Sequence, residues 1–169
     1  NKKSKISQQR NVLNQEIMKL RTIKEILQHY EKNNVQYNPV NLAVAIEQIA
    51  KSCSNSKYWW RKTVDIVSFK QILEMFKHCE VIASELDYRN LVRILWSIAK
   101  IGLKYDSIFI TLERYIIKNS HRWNAEFISN IVWVYAKAKM NASSVFKAAE
   151  KQIPSKINYF KHHEISKIV

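Results

Sequence analysis

Glycine occurs once and proline twice in the 169 residues. That is too few for tight hairpins, phosphate-cradling loops or β-bulges, whereas it suits helices joined by polar turns. The chain is therefore expected to be all-α. Acid is scarce as well: 14 Asp and Glu stand against 28 Lys and Arg, which leaves a formal charge of +14 and a pI of about 9.8. Such a balance repels itself unless an anionic partner relieves it, and nucleic acid is the first candidate.

Other absences narrow the function classes. The two cysteines, Cys53 and Cys79, form no framework and no CxxC or HExxH spacing, which fits a reducing compartment. No apolar run approaches the roughly 18 residues of a membrane span, so no membrane insertion is expected. There is no GxxxxGK[ST] sequence and no kinase-type glycine loop. The adjacent His162 and His163 would point about 100° apart on a helix, poor geometry for one metal. No catalytic residue, cofactor or metal is expected. The first residue is Asn, so any presequence would lie outside these residues.

What is present is an internal period. LVRILWSIAKIGLKYDSIFITLERY from Leu91 matches ISNIVWVYAKAKMNASSVFKAAEKQ from Ile128, pairing Trp96 with Trp133, Ala99 with Ala136, Lys100 with Lys137 and Phe109 with Phe146, each 37 residues apart. The same shift carries Ile128 and Ser129 onto Ile165 and Ser166. An earlier unit aligns only with a shift of 49, Asn41 onto Asn90, and the 12-residue excess falls after Lys51. Units are expected near residues 38, 87 and 124, with a partial one near 161 and an insertion at about 52–65. The whole of 11–169 reads as a helical-repeat domain and 1–10 as a flexible basic arm.

Helix-start chemistry supports this alignment. Asn38, Asp87 and Asn124 are side-chain acceptors at equivalent positions, with Pro39 at a first helical position. Tyr37, Leu86 and Trp123 precede them, and Leu42, Leu91 and Ile128 follow four residues later, the spacing of a hydrophobic staple. The fourth copy keeps Phe160 with Ile165 but has Lys161 at the cap. A first helix is expected over Tyr88 to Ile101, ended by Gly102. Asp106 or Ser107 would cap a second helix carrying Ile108, Leu112, Tyr115 and Ile116, and Ser143 would cap the next, with Val145, Phe146 and Ala149 inward. Upstream, Leu13, Ile17, Leu20, Ile23, Leu27 and Tyr30 predict one long amphipathic helix. Antiparallel pairs stacked at a 37-residue period make an α-solenoid.

A two-helix unit of this length with the LWxxAK core found at Leu95–Lys100 resembles the heptatricopeptide repeat of RAP-domain, FAST-kinase-like proteins. Ile26 to Lys51 is similar to the opening of that family's helical region, and the resemblance covers roughly Thr22 to Val169. It implies an organelle protein, mitochondrial in the first place and plastid as the alternative. It also implies RNA binding in ribosomal RNA or transcript processing, stability, assembly or translation, or membership of the mitochondrial ribosome, with ribosomal or other repeat proteins as further partners. No RAP module is read in these residues and the array is short, so functions that need that module are not implied.

Helical-repeat RNA readers use the surface lined by their first helices. Lys51, Lys100 and Lys137 are equivalent there and would form a ladder of cations, either on phosphate or complementing the helix dipoles. Arg93 and Asn130 are equivalent, as are Arg89 and Glu126; Arg93 and Asn130 could reach base edges. Trp96 and Trp133 read as packing between units. The insertion carries Lys57, Tyr58, Trp59, Trp60, Arg61 and Lys62, in which one ring is expected to pack and the other to meet RNA or a protein neighbour. Lys2, Lys3, Lys5 and Arg10 form a polar arm that could order on RNA. On the second helices, Arg114, Lys118, His121, Arg122, Lys147 and Lys151 read as a solvated outer face. The alternative function is a protein-binding scaffold of tetratricopeptide type, which the same fold permits.

Overall fold

The computed structural model describes residues 12–53 and 65–168, and among them every regular element is helical. In chain order these are α1 (12–19), α2 (Ile23–Asn33), α3 (Pro39–Ser52), α4 (Ile66–Val81), α5 (Tyr88–Ile101), α6 (Asp106–Lys118), α7 (Ala125–Lys137), α8 (Ser143–Gln152) and α9 (His162–Ile168), with short 3-10 turns before α3, α5, α7 and α9. The chain divides into two compact units, Asn1–Leu86 and Asp87–Val169.

The starts of α3, α5 and α7 show how local chemistry sets these elements. Asn38 accepts from the backbone N–H of Val40 and Asn41, Asp87 from Asn90, and Asn124 from Phe127, so each satisfies donors that a helix start leaves orphaned. Each staple residue is buried, Tyr37, Leu86 and Trp123 before the caps and Leu42, Leu91 and Ile128 after them. Gly102 ends α5 at φ 74°, a left-handed backbone that an L side chain rarely adopts.

Four expectations are corrected. The upstream helix is two helices, because Thr22 accepts from the Glu25 N–H while the Glu25 carboxylate accepts from the Thr22 N–H, a capping box that starts α2 afresh. Asp106 and Ser143 are the first residues of α6 and α8 and not their caps; Tyr105 and Ala142 hold those places without a side-chain capping bond to the first turn, and Ser107 lies inside α6. Asp106 acts there through its charge at the positive end of the helix, and the hydroxyl of the adjoining Ser144 donates to Glu113 of α6. At α9 the staple is loose, with Ile165 44% exposed. Here the buried Glu164 carboxylate accepts from the Lys161 N–H at 2.8 Å, which supplies the return half of a capping box without a capping side chain.

In the first unit α2 packs on α3 and α4, and α3 on α4. Their shared core holds Ile26, Leu27, Leu42, Ile46, Ile49, Ile72, Met75 and Phe76, each contributing roughly 1.5–3 kcal/mol by burial. A polar seam runs beside it: Tyr30 and Tyr37 stack at 5.1 Å, the Tyr30 hydroxyl meets His78 Nδ1 at 2.9 Å, and the Tyr37 hydroxyl meets His29 Nδ1 at 2.9 Å. Burial pushes the Tyr30 hydroxyl up to about 12 and holds the His78 ring below its ordinary value. Cys53 and Cys79 are both buried in this unit as free thiols, and burial raises Cys79 well above the ordinary thiol range.

In the second unit α5 packs on α6 and α7, α6 on α8, α7 on α8 and α9. First helices thus meet first helices and second meet second. Tyr135 ties the layers together: its buried hydroxyl donates to the Phe109 carbonyl at 3.0 Å, and its ring meets Phe109 edge-on at 5.6 Å.

Candidate nucleic-acid interface

In α5 every side chain from Asn90 to Ile101 is buried except Arg93, Trp96 and Lys100. Together with Arg89 these lie at intervals of four, three and four residues, which places them on one helical stripe. The equivalent positions of α7 hold Glu126, Asn130, Trp133 and Lys137, none of them buried. On α9 the corresponding stripe holds His163, exposed, and Lys167, half-buried.

These stripes meet. The rings of Trp96 and Trp133 lie 6.4 Å apart, and the Lys100 ammonium sits 5.0 Å over the Trp96 ring. Further down, Lys167 Nζ donates to Asn130 Oδ1 at 2.8 Å. Toward the helix starts a groove of about 360 Å³ is lined by Tyr88, Arg89, Val92, Asn124, Glu126, Phe127 and Asn130. The Arg89 guanidinium donates to the Tyr88 hydroxyl at 3.1 Å, a bond that raises its already high pKa, so its charge is permanent. At the opposite end a second groove, of about 300 Å³, brings Lys104, Lys137 and Lys139 around Gly102, Tyr105 and Phe109. Both grooves join like ends of α5 and α7, so the two helices run parallel and their stripes lie side by side.

The expected site residues therefore separate. Arg89, Arg93, Lys100, Asn130 and Lys137 are brought onto one exposed face of the second unit. Lys51 belongs to the first unit, where its ammonium pairs with Glu47 at 3.0 Å. The expectations for Lys2, Lys3, Lys5 and Arg10, and for Tyr58, Trp59, Trp60, Arg61 and Lys62 with Lys57, lie outside the described residues. Asn130 has its carboxamide oxygen engaged by Lys167, a residue that the alignment of Arg93 with Asn130 would have reached by one more step of 37.

Trp96 and Trp133 need a correction. They do meet between helices, as packing requires, yet both remain partly exposed and neither belongs to the buried core. Their register with arginine and lysine puts them on the polar stripe. The spacing Arg89, Arg93, Trp96, Lys100 was the sequence signal for it.

The face presents groups that can bind and position a ligand. Among the described residues no three His, Cys, Asp or Glu side chains gather as metal ligands, and no helix is long and apolar enough to cross a membrane. His162 and His163 are exposed. What the face offers is permanent cations, amide groups and two aromatic surfaces at the level between them. Compared with known proteins, the chain matches no family model and no curated protein.

Proposed function

We propose that the chain is a non-catalytic RNA-binding protein built as an α-solenoid of 37-residue helix pairs. Support for the architecture comes from the first helices α5, α7 and α9, which begin at Tyr88, Ala125 and His162, 37 residues apart, with α5 packing on α7 and α7 on α9. The observation that carries the binding role is the cationic and aromatic stripe shared by α5 and α7. A stripe of this kind offers phosphate contacts from Arg89, Arg93, Lys100 and Lys137 on a chain of net charge +14. The organelle setting, mitochondrial before plastid, and ribosomal RNA as the target rest on the resemblance of the LWxxAK unit to heptatricopeptide repeats, and belong to the same proposal.

Binding dominated by phosphate contacts releases counterions. The full chain, titrated with RNA at increasing salt, is expected to lose affinity by orders of magnitude between about 50 and 200 mM. Affinity that barely changes over that range, or no binding at all, would leave the protein-binding scaffold as the function of the fold.

A further inference from the structure

We infer that Trp96 and Trp133 form a stacking platform for an unpaired nucleobase, so the ligand of this face is single-stranded RNA and not duplex. This rests on the RNA-binding role proposed above and specifies its substrate. Large aromatic side chains gain most by complete burial, yet these two remain partly exposed on helices whose other apolar side chains are mostly covered. Their neighbours along each stripe are charged or amide-bearing: Arg93 one turn before Trp96 and Lys100 one turn after, Asn130 before Trp133 and Lys137 after. One turn is about 5.4 Å, which sets a cation beside each ring at the scale on which a nucleotide carries its phosphate beside its base.

The Lys100 ammonium lies over a π-face of Trp96 at 5.0 Å. A lysine side chain rotates away freely, so an arriving base can take the ring face while Lys100 moves to the adjoining phosphate. Bases inside a duplex are already stacked and present no face, whereas splayed-out single-stranded bases do. Stacking is tolerant of base identity. Recognition at this level is therefore of strandedness, with little sequence preference.

The test compares a single-stranded uridine-rich oligonucleotide with an RNA duplex of the same length, using the full chain and its Trp96→Leu, Trp133→Leu, Trp96→Phe and Trp133→Phe variants, with far-UV circular dichroism as the check on folding. Each leucine variant is expected to bind the single strand about 5- to 150-fold more weakly and the duplex unchanged, while the phenylalanine variants recover most of the loss. If the wild-type chain binds RNA but the leucine variants lose both ligands equally, or neither, the platform falls and RNA binding stands. If the wild-type chain binds neither ligand, both fall together. Should the leucine variants not fold, ultraviolet crosslinking of the native chain to the single strand decides: adducts at Trp96 or Trp133 support the platform, and adducts confined to other residues overturn it.

Discussion

Helices α3 and α5 align residue for residue at a shift of 49, start from the same kind of cap and bury the same kind of face, yet their outer stripes differ. Where α5 carries Arg89, Arg93, Trp96 and Lys100, α3 carries Val40, Val44, Glu47 and Lys51. Val44 is buried, and Glu47 stands where Trp96 stands in α5 and pairs with Lys51 at 3.0 Å. The first unit thus neutralises the cation that the second leaves beside a ring. Shared positions that face the core specify the fold, and the stripe that differs between the two helices is where we propose the RNA contact lies.

Equivalent core truncations make the largest test of that contrast. Ile46→Ala in α3 and Leu95→Ala in α5 each remove a fully buried side chain, and each is expected to destabilise its unit by about 2–5 kcal/mol in denaturant unfolding. Only Leu95→Ala should weaken RNA binding at a denaturant concentration that unfolds the variant's unit. Equal loss of binding from both would place the RNA contact on the first unit as well. Cap removal should not distinguish the units: Asn38→Ala and Asn124→Ala are each expected to cost about 1 kcal/mol, read by thermal unfolding.

Acidification should distinguish them again. The partly buried His78 ring, facing the Tyr30 hydroxyl and within the field of Glu85, has its folded-state pKa lowered from 6.5 by burial. The unfolded chain therefore takes up the proton more readily, and the stability that neutral His78 contributes is present above pH 6.5 and is lost as pH falls through the folded-state value. Thermal unfolding between pH 8 and pH 5 should show the first unit weakening, and His78→Gln should flatten that dependence. The smallest effect is expected from Glu47→Gln, which releases Lys51: RNA affinity should rise only a few-fold, with the salt slope steeper by at most about 0.7.

Much of the fold was legible because helix starts are written in short-range chemistry. Asn38, Asp87 and Asn124 announce themselves by an acceptor side chain between two apolar residues five apart, and Gly102 by its freedom at positive φ. The break at Thr22 was equally legible, since Thr22 and Glu25 have capping-box spacing, but the apolar periodicity running through it masked it. Asp106 and Ser143 were misplaced by one position because an acidic or hydroxyl side chain near a helix start can act as cap or as first-turn residue, and only the backbone decides. The site was half legible. A tryptophan recurring at one repeat position suggests packing, but recurrence does not say which side of the helix it occupies; burial of Ile94, Leu95, Ile98 and Ala99 around it does.

The proposed RNA contact lies on the stripe of α5 and α7. It is tested most directly by the salt dependence of RNA binding for the wild-type chain and for a variant combining Arg89→Gln, Arg93→Gln, Lys100→Gln and Lys137→Gln. Four lost phosphate contacts on a single strand should make the slope of log K against log salt shallower by about 3 and lower affinity throughout the low-salt range. An unchanged slope and affinity would contradict the claim and move the RNA to another surface.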